Sequence, residues 1–164
     1  METEMNRNKT LQLANAGMIA ALYVVLTWIA NLLGLASGAI QVRLSEALTI
    51  LPVFTVAAVP GLTVGCVLAN LLTGCAAWDV VFGSLATLIG AVGTRLLKDK
   101  PLLAWIPPVV SNAAIVPIIL IKVYGVPDAW WYLVLTVGAG EVIACGILGL
   151  LLWKALLPAK DRIF

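Results

Sequence analysis

Four charged residues lie within or at the edge of stretches that are otherwise apolar: Arg43, Glu46, Asp79 and Glu141. A charge inside a bilayer is costly, so such a side chain faces the bundle interior or a water-filled cavity and pairs with a partner or a ligand. An ionised carboxylate can accept two hydrogen bonds at once from a ligand with adjacent N–H donors. These four residues are therefore the first candidates for a binding site.

The four charges differ in position along their stretches. Glu141 lies deepest, about 12 residues or roughly 18 Å into the last apolar stretch, which favours a binding role. Arg43 and Glu46 are three residues apart, so they share a helix face and can form an ion pair that either contacts a ligand or only anchors the helix. Asp79 begins an apolar stretch, where helix capping and ligand contact both remain open.

Amides and aromatic residues extend the set. Asn70 and Asn112 fall inside apolar runs, where an amide either joins two helices or contacts a ligand. Tryptophans at one end of the bundle fit an interfacial aromatic belt, although a flat ligand could also stack on them. The candidate binding residues are Glu141, Asp79, Asn70, Asn112, Arg43, Glu46, Trp78, Trp130 and Trp131.

The composition indicates an integral membrane protein. Of 164 residues, 62% are hydrophobic and 11% are charged, and the mean hydropathy is +1.07. At about 20 residues per span, this length holds five to seven helices and leaves no room for a soluble domain. The net charge of +2 and the absence of a basic run argue against nucleic acid as a partner and leave the lipid bilayer as the surroundings.

Glycine, proline and charge divide the chain into six expected transmembrane helices in an all-α bundle. Residues 1–10 and 158–164 are expected to be cytoplasmic tails, and 11–157 a single transmembrane domain. A turn is expected at Pro60-Gly61. The expected helices are 11–33, 43–59, a short one from about 61 to 74, 79–97, 102–124 and 130–157.

Basic residues predict the orientation. With both termini on one side, that side collects Arg7, Lys9, Arg95, Lys98, Lys100, Lys154, Lys160 and Arg162, whereas the other holds Arg43 and Lys122. The positive-inside rule therefore predicts that both termini are cytoplasmic in a multi-pass protein of the cell membrane.

Enzyme chemistry finds little support in the sequence. The chain has no histidine, its three cysteines are widely spaced, and no GxxxxGK[ST] phosphate loop occurs. We therefore expect no structural zinc, other metal, cofactor or disulfide framework, and no catalysis unless Asp79 and Glu141 meet as a protease pair. A stand-alone secondary transporter stays open, although such carriers usually contain internal repeats and none is evident here.

The first helix carries small residues on two faces. Ala14, Gly17 and Ala21 share one face, and Ala16 and Ala20 form a second small-xxx-small pair. Such spacing permits close approach by another helix, from either the same chain or a partner. Ala16, Gly17 and Ala20 are the expected docking residues.

Six segments in order resemble the QueT family over nearly the whole chain. The family comprises membrane-embedded substrate-binding components, or S-components, of energy-coupling-factor (ECF) transporters assigned to queuosine precursors. The segments are MIAALYVVLTW (18–28), IQVRLSEALTILPVF (40–54), GLTVGCVLANLLTG (61–74), DVVFGSLATLIGA (79–91), PPVVSNAAIVP (107–117) and GAGEVIACGILG (138–149).

The resemblance implies a six-helix S-component that binds its substrate near the outer face. It further implies that helix 1 docks onto a transmembrane coupling subunit driven by two cytoplasmic ATPases, which supply the ATP hydrolysis. For a 7-deazaguanine, Glu141 is the first candidate to accept hydrogen bonds from the ring N–H and the exocyclic amine of the ligand, and Asp79 is the second. Asn70 or Asn112 would read the carbonyl edge. A corrinoid or another vitamin is the alternative ligand.

Overall fold

The computed structural model describes residues 2–35 and 40–163, and these two ranges are helical with no strand. The α-helices are α1 (Glu2–Leu32), α2 (Ala58–Leu72), α3 (Ala77–Leu96), α4 (Ile106–Lys122), α5 (Trp130–Glu141), α6 (Gly149–Leu156) and α7 (Lys160–Ile163). Between them lie a long 3₁₀ helix (Leu44–Val53), a π-helix (Val142–Leu148) and short 3₁₀ turns at Pro101–Leu103 and Leu157–Ala159.

Four helical stretches are long and apolar enough to cross a membrane: Asn8–Leu32, Ala77–Leu96, Pro101–Lys122 and Trp130–Ala159. The two remaining helices, Leu44–Val53 and Ala58–Leu72, are shorter. At about 2.0 Å per residue for a 3₁₀ helix and 1.5 Å for an α-helix, each covers roughly 20 Å, less than the ~30 Å hydrocarbon core. The prediction of an all-helical membrane protein is therefore confirmed, and four of its six expected crossings meet the length requirement.

These four long stretches and two shorter helices alternate in direction through the bundle. Arg43, at the start of the 3₁₀ helix, lines a cavity with Leu32 and Asp79 at the ends of α1 and α3. At the opposite end, the Arg95 guanidinium in the last turn of α3 donates to the carbonyl of Pro52 at 3.0 Å. We call the end of the bundle that contains Arg43 the cavity end. The 3₁₀ helix packs on α1, α2, α3, the π-helix and α6, so it occupies the middle of the bundle.

Several helix boundaries differ from those expected. The segment predicted as a helix over 43–59 is a 3₁₀ helix that contains Pro52. The expected turn at Pro60-Gly61 is wrong, because both residues lie in the first turn of α2, where a proline N–H is not needed. Helix α3 begins at Ala77, so Asp79 lies in its first turn and is not its N-cap. The last span remains helical throughout, but its middle turns form the π-helix and not an α-helix.

Two of the small residues of α1, Ala16 and Ala20, pack on α2. A Cβ atom added at Gly61 would lie 2.8 Å from the Ala16 carbonyl oxygen, and one at Gly65 would lie 3.0 Å from the Ala20 carbonyl oxygen. The pairs Ala16/Ala20 and Gly61/Gly65 therefore bring the two helix backbones into contact. Both alanines therefore contact a helix of the same chain, and their expected role in docking a partner stays a prediction. Gly17 is exposed, and an added Cβ there would meet nothing within 4 Å.

Helices α3 and α4 approach equally closely by another pairing. A Cβ at Gly90 would lie 2.7 Å from the Pro108 Cα, and one at Gly93 would lie 2.4 Å from the Pro107 Cβ. The two prolines begin α4, where their missing N–H groups leave no hydrogen bond unmade. This contact fixes α3, which carries Asp79, against α4, which carries Asn112.

Candidate functional site

A polar cavity of about 630 Å³ opens at the cavity end of the bundle. This volume falls within the ~300–1,000 Å³ typical of small-molecule sites. A smaller cavity of about 70 Å³ shares Gln41, Arg43 and Asp79 with it and reaches Glu141. The residues that line the large cavity are Thr27, Trp28, Ala30, Asn31, Leu32, Gln41, Arg43, Asn70, Leu72, Thr73, Cys75 and Asp79.

Arg43 is held in this cavity by Asn70. The Arg43 Nη2 atom donates to the Asn70 Oδ1 atom at 2.9 Å, and Asn70 itself is 1% exposed. The amide nitrogen of Asn70 in turn lies 3.5 Å from the carbonyl of Asp79. Because a guanidinium has five N–H donors, Arg43 retains several for a ligand. Asn70 therefore positions Arg43 and joins α2 to α3.

Asp79 lies on the cavity wall, tied to the loop that follows α4. The Tyr124 hydroxyl donates to the Asp79 Oδ2 atom at 2.9 Å and accepts from the Ala76 N–H at 3.1 Å. Partial burial raises the pKa of Tyr124, and so does the adjacent Asp79 carboxylate, whereas the hydrogen bond from the Ala76 N–H lowers it. The net effect is a rise in the pKa of Tyr124 from 10.0 to about 12. Tyr124 is therefore protonated at neutral pH and orients one oxygen of Asp79, leaving the other with capacity to accept.

Glu46 is buried beneath Arg43 and does not face the large cavity. One of its oxygens accepts a hydrogen bond from Tyr23 of α1, and Tyr23 is fully buried. Arg43 and Glu46 thus hydrogen-bond different helices, α2 and α1, although their opposite charges attract. The Thr27 hydroxyl continues the polar face of α1 with a 2.9 Å bond to Ser45.

Glu141 forms the floor of the small cavity and is 6% exposed. The Cys145 thiol donates to its Oε2 atom at 3.2 Å. Asn112 of α4, itself 4% exposed, lies within hydrogen-bonding reach of the same carboxylate. The structure therefore brings together Arg43, Asn70 and Asp79 around the large cavity, with Glu141, Asn112 and Glu46 below them.

The three predicted tryptophans lie elsewhere. Trp78 is 61% exposed, stacks on Phe82 at a centroid distance of 5.6 Å and lines an apolar surface groove. Trp130 and Trp131 are also more than half exposed. None of the three lines the polar cavities described above. The aromatic residue on the large cavity is Trp28 instead.

Four residues at or beneath the cavities are not among those predicted from the sequence: Gln41, Trp28, Tyr124 and Tyr23. Gln41 lines both cavities and a third, of about 190 Å³, that contains Asp128 and Tyr132. Its position two residues before Arg43 was the feature of the sequence that could have marked Gln41 as a cavity residue. Tyr23 and Thr27 show the one-turn spacing of a polar helix face within an apolar segment. No pattern in the sequence marked Trp28 or Tyr124.

A family model described as QueT transporter matches residues 13–158. The protein named Queuosine precursor transporter QueT from Lactococcus lactis subsp. cremoris (strain MG1363) is 36% identical over 97 residues, which cover 58% of this chain and 56% of that relative. The chain therefore aligns with little more than half the length of this curated relative. No solved structure matches.

Proposed function

Because the chain belongs to the QueT transporter family, we propose that it binds a queuosine precursor, a 7-deazaguanine, as the S-component of an ECF importer. The observation that carries this proposal is the polar cavity, in which Arg43 and Asp79 converge with donor and acceptor groups on one volume of about 630 Å³. A site of this kind discriminates a ligand by hydrogen bonds, because buried polar groups left unpaired are costly.

In the proposed complex, a carboxylate accepts from the ring N–H and exocyclic amine of the deazaguanine. Asp79 is the better placed of the two candidates, since it lines the large cavity, whereas Glu141 lines only the cavity of about 70 Å³ below. Arg43 donates to the ligand carbonyl, since the donor atom of Asn70, its Nδ2, is directed at the Asp79 carbonyl and the Asn70 oxygen accepts from Arg43. Glu141 contacts the part of the ligand that reaches deepest. Trp28 supplies the aromatic face.

The proposed orientation places the cavity outside the cell. The opposite end of the bundle carries Arg95, Lys98, Lys100 and Lys154, which is the bias expected of a cytoplasmic side. Both termini would then be cytoplasmic, and the two shorter helices would complete six crossings. The exposed face of α1 around Gly17 would dock a transmembrane coupling subunit, and two partner ATPases would hydrolyse the ATP.

A binding titration tests the proposed ligand. The detergent-solubilised chain is titrated with 7-deazaguanines, queuosine, cobalamin and riboflavin, with Asp79→Asn and Arg43→Gln as site variants. One-to-one binding of a 7-deazaguanine that both variants weaken supports the proposal. Binding of cobalamin or riboflavin instead would establish the vitamin alternative.

Uptake measurements test the partner requirement. Proteoliposomes with this chain alone should bind the ligand without accumulating it, whereas co-reconstitution with a coupling subunit and two ATPases should give ATP-dependent uptake. Accumulation by the chain alone would identify a stand-alone transporter and contradict the S-component role.

A further inference from the structure

Three metal-ligating side chains meet beneath the cavity: Glu46, Glu141 and Cys145. One ligand atom from each lies within 4.8 Å of the other two. The residues are 1%, 6% and 1% exposed, respectively. The Thr49 hydroxyl adds a fourth possible ligand atom, 3.4 Å from the Cys145 sulfur. None of these four side chains lines the large cavity, and Glu141 alone also lines the small one, from which it contacts the proposed ligand.

Two uncommon helix types supply three of these four residues. The 3₁₀ helix carries Glu46 and Thr49, while Glu141 ends α5 and Cys145 lies in the π-helix. The 3₁₀ helix and the π-helix pack against each other. Runs of 3₁₀ helix beyond a few residues are uncommon, and π-helical turns occur frequently at functional sites. The irregular backbone thus coincides with the cluster.

Glu46 leaves one oxygen without a partner. Its Oε1 atom accepts from Tyr23, whereas its Oε2 atom is buried and makes no hydrogen bond. A buried carboxylate oxygen without a donor is unfavourable. Two carboxylates within 4.8 Å of one another add mutual repulsion. A cation at this position would relieve both.

We propose that Glu46, Glu141 and Cys145 bind a divalent metal ion of borderline softness, Zn²⁺ being the best fit. One thiolate and two carboxylates form a mixed donor set that this class of ion accepts. The ion replaces the proton of the Cys145 thiol, so the sulfur binds the ion as a thiolate. Three ligand charges then balance the 2+ ion and the neighbouring Arg43 guanidinium, so the buried group is neutral.

The geometry requires little movement. Zinc binds sulfur at about 2.3 Å and carboxylate oxygen at about 2.0–2.2 Å, which sets tetrahedral ligand atoms about 3.5 Å apart. Because the ligand atoms lie within 4.8 Å of one another, reaching this spacing needs side-chain shifts of roughly 1 Å. Thr49 or a water molecule would complete the coordination. The wide spacing of the cysteines argued against zinc, but folding supplies carboxylates from two segments that the spacing did not reveal.

Cobalt substitution tests the site independently of the transported ligand. The full chain, purified in detergent and stripped with a chelator, is titrated with Co²⁺ and then with Zn²⁺. One Co²⁺ per chain should bind and give the near-ultraviolet charge-transfer absorption of a cobalt–thiolate bond, and one equivalent of Zn²⁺ should remove it. Absence of stoichiometric Co²⁺ and Zn²⁺ binding would overturn the proposal.

Cysteine variants locate the sulfur ligand. Cys145→Ser should abolish the charge-transfer absorption, while the matched Cys75→Ser, on the wall of the large cavity, should retain it. The reverse pattern would overturn the proposal. Glu46→Gln should keep the absorption at saturating Co²⁺ but weaken Co²⁺ binding at least tenfold. Should Cys145→Ser fail to fold, an unchanged Co²⁺ affinity in Glu46→Gln would overturn the proposal by itself.

Discussion

Gly140 lies directly against the backbone of Gln41: a Cβ atom on Gly140 would be 2.1 Å from the Gln41 carbonyl oxygen. This contact presses the segment before Arg43 onto α5, one residue before Glu141. A glycine is required here because the neighbour is backbone, which cannot rotate out of the way as a side chain can. The position of Arg43 over Glu141 therefore depends on a missing side chain.

Gly140→Ala should weaken binding of the 7-deazaguanine at least tenfold, because the added methyl group must displace Gln41 and with it Arg43. Ligand titration of the folded variant measures the effect. Gly138→Ala is the matched control, since its Cβ would meet only the Ala113 Cβ at an ordinary 3.9 Å. Equal affinities for the two variants would show that this contact does not position the site.

Bulky substitutions on α1 should separate folding from docking. Ala20→Trp forces a large side chain into the α1–α2 contact, where overpacking costs about 1–3 kcal/mol or more, so the purified variant should unfold at lower temperature. Gly17→Trp faces open space and should keep its thermal stability and ligand binding. Co-purification with the coupling subunit should be lost in Gly17→Trp. If that variant still assembles, this face of α1 is not the docking surface.

Asp79→Asn should cost about 1.5–3 kcal/mol in ligand affinity, or tenfold and more, because a charge-assisted acceptor becomes a neutral amide. Glu141→Gln should cost less, since Glu141 lines only the smaller cavity. Calorimetric titration of both variants measures the two losses. A larger loss in Glu141→Gln would restore Glu141 as the main ligand-reading carboxylate.

The Tyr124–Asp79 hydrogen bond should give a defined pH dependence. The pKa of Tyr124 is raised from 10.0 to about 12 in the folded protein, so its stabilisation is complete below pH 10 and is lost as the pH rises towards 12. Tyr124→Phe lacks this bond at every pH. The difference in Tm between the two proteins should be constant from about pH 7 to 10 and then shrink. A difference that grows above pH 10 contradicts this assignment.

Ligand binding should quench the fluorescence of Trp28, the tryptophan that lines the large cavity. Trp28→Phe should abolish most of the ligand-induced change, whereas Trp78→Phe, on the apolar groove, should preserve it. Quenching that disappears only in Trp78→Phe would instead place the base against the outer groove.

The membrane class, the helical segments and several of the cavity residues could be predicted from the amino-acid sequence alone. Hydropathy is a local property, so a composition that is 62% apolar predicts membrane helices directly. Glycine, proline and charged residues mark where those helices end. The cost of a charge in lipid likewise marked Arg43, Asp79 and Glu141 without any knowledge of their neighbours.

The contacts between side chains of different helices could not be predicted in this way, because they arise only when the chain folds. Packing of α2 through Gly61 and Gly65 half-buried Ala16, buried Ala20 and left Gly17 exposed. Helix packing also left the predicted tryptophans off the polar cavities and joined Cys145 to Glu46 across 99 positions of sequence. Such contacts depend on the relative rotation and depth of helices, which periodicity within one segment does not specify.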